Sequence, residues 1–208
     1  MTDLPTAVVH GIRLGGLSPI ESIVARSGLS PSEVEATLIT ISDAGWATLR
    51  SGRMPGWMLT KEGRLEGERL LAVELDATGR RGDLVAAYDD FLPHNREFLG
   101  LCTDWQLRDV DGDAVVNDHD DPEHDRLVIE RLDALHAELA PLLDRMTSVL
   151  PRMAAYAPRF NEALQRVHQG ELEWFTKPII DSYHTVWFEL HEDLLATLGI
   201  ERSSEVAR

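Results

Sequence analysis

The strongest constraint on the fold is a helix-start signal that occurs twice near the beginning of the chain. Residues 18–21 are Ser-Pro-Ile-Glu and residues 30–33 are Ser-Pro-Ser-Glu. A serine before a helix accepts a hydrogen bond from the first turn, a proline suits the first helical position, and a glutamate three residues after the serine completes a capping box. Gly28 ends the first of the two helices. Two capped helices joined by a glycine turn predict a helix-turn-helix.

A further helix and a hairpin are predicted on either side of this pair. Residues 7–14 have apolar side chains at helical spacing before Gly15-Gly16, which predicts a short first helix. Residues 46–50 and 57–60 are strand candidates, and the two glycines and the proline between them indicate a hairpin loop. Thr60 then caps another helix. The predicted order is therefore three helices, a hairpin and a helix.

This order, together with residues 57–64 (WMLTKEGR), resembles winged helix-turn-helix transcription regulators of the MarR and PadR types. Both types have a leucine, a threonine, two variable residues, a glycine and an arginine just after the wing. The chain has almost nothing before its first helix, where the MarR type has a dimerisation helix, and a helical region after the wing, as in the PadR type. The resemblance implies a dimeric, DNA-binding regulator.

The resemblance also implies which residues contact DNA. In such folds the third helix enters the major groove, and the wing lies against the backbone or the minor groove. The implied contact residues are Arg26, Ser30, Ser32, Thr37, Thr40, Arg50, Arg53, Lys61 and Arg64. The third helix contains no lysine or arginine, however, and Glu33 and Glu35 repel a polyanion. The alternative is an adaptor or regulatory subunit whose winged helix binds a protein instead of DNA.

Negative charge is concentrated in the second part of the chain. The 208 residues include 20 Lys and Arg against 36 Asp and Glu, a formal charge of -16. Residues 1–75 contain 7 basic and 9 acidic residues, whereas residues 76–208 contain 13 and 27. Because such a surface repels phosphate backbones and anionic lipids, contact with double-stranded DNA must be local, and no membrane contact is expected. We predict a winged helix-turn-helix domain at 1–75, a polar linker at 76–82 and an acidic helical domain at 83–208.

The acidic domain is predicted to be entirely helical, which makes the whole fold mainly α. Apolar residues recur at helical spacing in four segments, 84–102, 128–146, 160–167 and 179–198. Pro93 and Pro141 are expected to kink or break their helices. No segment alternates as a strand, so a bundle of about four or five helices is expected. The last helix is either the dimer element of a homodimer or packs within its own bundle.

The sequence predicts a cytoplasmic protein without catalytic activity. Cys102 is the single cysteine, which excludes an internal disulfide and fits a reducing compartment. No signal peptide and no apolar run long enough to span a membrane is found. The chain contains no glycine-rich phosphate loop and no nucleophile with a recognisable base. We therefore expect no enzyme activity and no cofactor.

The acidic segment 109–125 and the histidines are candidate metal ligands. An EF-hand requires glycine at loop position 6 and glutamate at position 12, whereas Gly112 falls at position 4 and Asp120 at position 12. A solvated loop that ends in a helix cap at Asp120 or Asp121 is the favoured interpretation. His184 and His191 are seven residues apart, which does not match a zincin motif. No metal site is predicted.

Aromatic and polar residues of the acidic domain could line an effector pocket between helices. The candidates are Asn95, Arg96, Trp105, Gln106, Trp174, Tyr183, His184 and Trp187. Regulators with helical bundles bind small molecules in such places. Aromatic residues at helical spacing are also ordinary core residues, so this alternative remains open.

Overall fold

The computed structural model describes residues 2–110 and 112–201 of the chain. The described part is mainly helical, with a small antiparallel hairpin after the first three helices, an order compatible with a winged helix followed by further helices. The N-terminal part consists of α1 (Leu4–Gly15), α2 (Ile20–Ser27), α3 (Pro31–Asp43), β1 (Ala47–Arg50), β2 (Gly56–Leu59) and α4 (Lys61–Thr78).

The N-terminal helices begin at capping side chains, with one difference from the prediction. Ser30 and Glu33 form the predicted capping box of α3, and Thr60 caps α4. Ser18, in contrast, does not cap α2, which begins at Ile20 after Pro19. Its backbone instead exchanges two hydrogen bonds with Trp57 of β2, with N···O distances of 2.9 and 2.8 Å. Ser18 is buried because this bridge extends the hairpin.

The C-terminal part is a helical bundle with a second hairpin. It consists of α5 (Arg81–Gln106), β3 (Leu107–Val110), β4 (Asp113–Val116), α6 (Pro122–Val149), a 3₁₀ helix (Pro151–Ala155), α7 (Tyr156–His168), α8 (Glu173–Thr176) and α9 (Tyr183–Leu198). The prediction of no strand in this part was wrong, since β3 and β4 pair antiparallel around Gly112. Neither Pro93 nor Pro141 ends its helix, and both are exposed on the helix surface.

Two hydrophobic cores lie on either side of a long helix, α4. The N-terminal core is formed mainly by α1, α2, α3 and the first hairpin, and the C-terminal core by α5, α6, α7 and α9. Leu75, near the end of α4, belongs to the C-terminal core. Of the segment predicted as a linker, only Gly79 and Arg80 lie outside a helix. Gly79 has φ 64, a left-handed conformation that favours glycine, and it turns the chain into α5.

The last helix lies at the centre of the molecule. α9 packs against α1, α4, α5, α7 and α8 of the same chain. The interpretation that it packs within its own bundle is therefore correct for its contacts with α5, α7 and α8, but it also packs against α1 and α4 of the N-terminal part. We call the surface between the two parts the seam, where α1 and α4 contact α9 and α2 contacts the 3₁₀ helix. In the described residues, no helix combines the length and the hydropathy that crossing a bilayer would require.

Candidate nucleic-acid interface

One face of α3 is open to solvent along its whole length. Its buried side chains, Val34, Leu38 and Ile41, face the N-terminal core. Ser32, Glu35, Ala36, Ile39, Thr40 and Asp43 are exposed on the other face. Hydroxyl groups on such a face can contact phosphates or base edges, whereas the carboxylates of Glu35 and Asp43 oppose them. The exposed face is therefore polar and carries no positive charge.

All four predicted contact residues at α3 make hydrogen bonds within the chain. Ser32 Oγ lies 3.2 Å from Ser30 Oγ, and the Thr40 hydroxyl donates to the Ala36 carbonyl at 3.2 Å. Thr37 is buried, and its hydroxyl donates to the backbone oxygen of Glu33 at 2.7 Å. Ser30 donates through its backbone and its hydroxyl to Glu33 Oε2, at 2.9 and 2.6 Å. These hydrogen bonds hold the pKa of Glu33 below its usual range, so the cap remains charged at neutral pH. Ser32 and Thr40 are the exposed hydroxyls on this helix.

Two arginines lie at the loop end of the first hairpin, Arg50 at the end of β1 and Arg53 in the loop. β1 and β2 pair in register from Ala47 with Leu59 to Arg50 with Gly56, and residues 51–55 form an exposed loop. Arg50 and Arg53 are both exposed. Antiparallel pairing fixes the loop at the end of a rigid ribbon, so the two guanidinium groups lie at its tip.

The start of α4 is held tightly against the hairpin. The Thr60 hydroxyl accepts from the backbone N–H of Gly63 at 2.9 Å and donates to the Gly45 carbonyl at 2.8 Å. A Cβ atom at Gly63 would overlap the carbonyl group of Trp46. The glycine in WMLTKEGR is thus required by close backbone packing. Lys61, at the first position of α4, is exposed beside this contact.

The lysines and arginines of the two parts differ in whether they form ion pairs. Of the lysines and arginines within the described ranges, those without a carboxylate within 4.0 Å are Arg50, Arg53, Lys61, Arg64 and Arg96. Four of these five lie between residues 50 and 64. Within the described residues of the acidic part, every arginine and lysine except Arg96 is paired with a neighbouring carboxylate. Positive charge not compensated by an ion pair is therefore concentrated on the hairpin and the start of α4.

Arg26 does not share this surface, and Arg64 is exposed at its edge on the side of the seam. Arg64 lines a cleft at the seam, with Glu68 and Glu192 among its other walls. Arg26 is only 11% exposed, and its guanidinium donates to Glu189 of α9. Since a buried, paired guanidinium cannot reach a phosphate, Arg26 does not belong to an exposed DNA-contact surface.

The Arg26 pair is part of a buried ionic cluster that the sequence analysis did not predict. Glu189 accepts from Arg26 through one carboxylate oxygen and from Arg159 through the other, the second at 2.7 Å. Arg159 also donates to Asp181 at 2.9 Å. A carboxylate two residues after Trp187, within the apolar stripe of α9, was the sequence signal for this cluster.

A second set of buried charges crosses the same seam. Arg152 donates to both oxygens of Asp193, at 2.8 and 2.6 Å, and to Glu74 of α4 at 2.8 Å. His10 Nε2 lies 3.0 Å from Asp193 Oδ2, and the Tyr156 hydroxyl donates to the same oxygen at 2.9 Å. Burial alone would raise the pKa of Asp193, but Arg152 and His10 hold it well below its usual range. Asp193 is therefore a charged group inside the protein.

Three of the eight predicted effector residues meet at one cavity. Asn95, His184 and Trp187 line a cavity of about 230 Å³ between α5 and α9. The other five lie elsewhere: Trp105 stacks on Phe175, Trp174 lies beneath Arg166, Tyr183 is buried beside His136, and Arg96 and Gln106 are exposed.

The acidic segment contains buried groups as well as a cap. Asp121 caps α6 by accepting from the backbone N–H groups of Glu123 and His124, in agreement with the prediction for this position. Asn117 and Asp125, however, are buried and joined by a 2.8 Å hydrogen bond. Asp125 also lies 3.0 Å from His119 Nδ1. The segment is therefore only partly the solvated loop that its charge predicted.

Neither the cysteine nor the histidines add a reactive centre to this surface. Burial raises the pKa of Cys102 to about 12, which keeps its thiol protonated at neutral pH. One group of metal-ligand type, His94, Glu97 and Glu138, lies on the outer surface of α5 and α6 with its ligand atoms within 4.8 Å of one another. Its His94–Glu138 contact, at 3.4 Å, is that of a surface ion pair.

Comparisons with protein-family models, with curated proteins and with solved structures find no match to this chain.

Proposed function

We propose that this chain is a cytoplasmic, DNA-binding transcription regulator of the winged-helix type, in which α3 enters the major groove and the β1–β2 loop is the wing. The observation that supports this proposal is the distribution of cations without ion pairs. Four of the five within the described residues lie between positions 50 and 64, and three of these, Arg50, Arg53 and Lys61, lie on the proposed DNA surface, although the chain has a formal charge of -16. A site that binds a polyanion needs positive charge that is not already neutralised.

The proposed contact residues form two groups, those that position the protein on the DNA backbone and those that face the bases. Arg50, Arg53 and Lys61 would bind phosphates and set the register of the protein on the duplex. Ser32 and Thr40, on the exposed face of α3, would face base edges or phosphates. Arg26, Thr37 and Arg64 are left out because of where their side chains lie.

A homodimer is the proposed binding form. Two copies would present two α3 helices to successive major grooves and double the number of phosphate contacts. Light scattering of the purified protein measures this directly, and a mass of about 23.3 kDa rather than twice that value would contradict the dimer.

DNA binding is tested with a duplex from the region upstream of the chain's own gene. Fluorescence anisotropy at several salt concentrations is expected to give a specific complex whose log affinity falls with log salt by about 0.9 per phosphate contact. The double variant Arg50→Ala, Arg53→Ala should weaken binding and reduce this slope. Arg96→Ala is the matched control, since it removes an unpaired arginine from the acidic part and should change neither value.

A protein partner is the second candidate function, and three exposed apolar side chains favour it. Ile39 on α3, Leu49 on β1 and Met54 in the loop are 63, 60 and 74% exposed. Apolar side chains can contact thymine methyl groups, but they are also typical of protein-binding surfaces. Absence of DNA binding at both low and moderate salt would favour the adaptor over the regulator.

A further inference from the structure

A cavity between α5 and α9 has the form of a small-molecule site. It has a volume of about 230 Å³ and is open to solvent on one side. Its walls include the rings of Phe98, Trp187 and Phe188. Phe98 and Trp187 stack with ring centroids 4.4 Å apart and an angle of 23° between their planes. The inner wall is therefore aromatic, formed by two buried rings that are stacked on each other.

The rim of the cavity is apolar and exposed. Leu99 on α5 and Phe188 on α9 are 55% and 45% exposed. Removal of an exposed apolar side chain at the mouth of a concave site changes the stability of the fold little. The same side chain adds contact area when a ligand binds. The two residues therefore allow the mouth to be changed without disturbing the core.

Three polar residues line the cavity, Asn95, His184 and His191. Asn95 Oδ1 accepts from Trp187 Nε1 at 2.9 Å, which fixes the orientation of the amide and leaves its NH₂ group as a donor. His184 also lines the cavity, and burial lowers its pKa, so its imidazole is neutral at neutral pH. Among the described residues, no lysine, arginine, aspartate or glutamate lines the cavity. These features select against a charged ligand.

We propose that this cavity binds a neutral, planar ligand of one or two aromatic rings that carries a hydrogen-bonding group. A cavity of about 150 Å³ lined by apolar side chains holds a benzene molecule, so the space here accommodates one or two rings. The ring of the ligand lies against the exposed side chains of Leu99 and Phe188. Its polar group meets the Asn95 amide or the His184 imidazole.

The position of α9 connects this cavity to the N-terminal part. His184, Trp187 and Phe188 line the cavity, whereas Glu189 and Asp193 of the same helix hold Arg26 and His10 across the seam. A ligand that favours one position of α9 therefore changes the energy of the seam contacts. If the proposed DNA-binding function is correct, ligand binding alters DNA affinity, and this coupling rests on that function.

Binding is tested first without DNA, with 5-fluoroindole and phenol as neutral probes and benzoate as a charged one. Line broadening in ¹⁹F spectra measures 5-fluoroindole, and saturation transfer measures the other two. The neutral probes should bind and benzoate should bind more weakly. Leu99→Trp, which fills the mouth, and Phe188→Ala, which removes one wall, should each weaken binding roughly tenfold.

Leu127→Ala is the control, because it removes an exposed leucine of α6 that lies outside this cavity. Circular dichroism melting curves establish that each variant is folded. No binding of either neutral probe at millimolar concentration, or binding that is unchanged in both mouth variants, would overturn the proposal. A protein that binds no probe but changes from dimer to monomer with Phe188→Ala would show that a second copy covers the mouth, and would also overturn it. Probe binding without any effect on DNA affinity would remove only the coupling.

Discussion

Arg26 of α2 donates two hydrogen bonds to one carboxylate oxygen of Glu189 in α9, at 2.9 and 2.7 Å. The two residues are far apart in the chain, and their side chains are 11 and 3% exposed. The contact therefore fixes the N-terminal helices relative to the central helix of the bundle. It also links the part that contains α3 and the hairpin to the helix that lines the cavity between α5 and α9.

The charged contacts of the seam also make its geometry specific. A seam formed only by apolar side chains tolerates small shifts of the two parts, whereas a buried charge that loses its partner destabilises the protein strongly. Glu189 and Asp193 lie one helical turn apart on α9 and hold Arg26 and His10 from two different helices. At least two separate ion pairs, Arg26–Glu189 and Arg152–Glu74, thus join the two parts.

Replacement of Glu189 by alanine should destabilise the protein by about 3–5 kcal/mol, because it leaves Arg26 and Arg159 buried without their partner. Urea unfolding followed by circular dichroism measures the change. Glu173→Ala is the matched control, since it removes the exposed partner of Lys177 and should have a much smaller effect. Equal losses for the two variants would mean that the buried cluster does not stabilise the seam.

Asp193 predicts a loss of stability in acid. Its pKa is held below the unfolded value, so the unfolded chain takes up this proton first as the pH falls. The contribution of Asp193 is complete above its unfolded pKa of about 3.9 and is lost as the pH falls toward the lower folded value. The difference in unfolding free energy between the wild type and Asp193→Asn should therefore decrease from about pH 5 to pH 3. A difference that stays constant over this range would show that the carboxylate is not specially stabilised in the fold.

Local signals were sufficient to predict the N-terminal elements. Capping at Ser30 and Thr60 depends on residues within one helical turn, and the hairpin depends on the glycines and the proline of its loop. Ser18 shows where such reasoning stops. The capping signal around Ser18 is as complete as the one around Ser30, but Ser18 forms a backbone bridge to Trp57 instead of a cap. Local patterns do not reveal this bridge, because Trp57 is distant in sequence.

The site residues were harder to predict for the same reason. Helical periodicity places Arg26 on α2 but does not reveal that α9 presents a carboxylate to it. Spacing also does not reveal that Trp187 donates a hydrogen bond to Asn95, or that Trp105 stacks on Phe175. Partners of this kind depend on how helices pack across the seam and within the bundle, which short-range patterns do not encode.

The two glycines at positions 63 and 100 should respond oppositely to alanine. Gly63→Ala should destabilise the protein by about 3 kcal/mol, since its Cβ would overlap the Trp46 carbonyl group and force the hairpin away from α4. Gly100 lies within α5 with open space around it, so Gly100→Ala should stabilise the protein by about 0.5–1 kcal/mol. Urea midpoints of both variants test this. A neutral effect at Gly63 would contradict the close packing of α4 on the hairpin.

Substitutions of the two threonines of α3 distinguish a DNA-contact role from a structural role. Thr40 is exposed on the open face, whereas Thr37 is buried with its hydroxyl bonded to the Glu33 carbonyl at 2.7 Å. Under the proposed function, Thr40→Val should weaken specific DNA binding by about 1 kcal/mol, or roughly fivefold, through loss of one hydroxyl contact. Thr37→Val keeps the shape of a side chain that does not reach the surface, so it should leave DNA affinity unchanged. Anisotropy titrations at one salt concentration, with a scrambled duplex as reference, measure both effects. If Thr37→Val weakened specific binding as much as Thr40→Val, the open face of α3 would not be the reading surface.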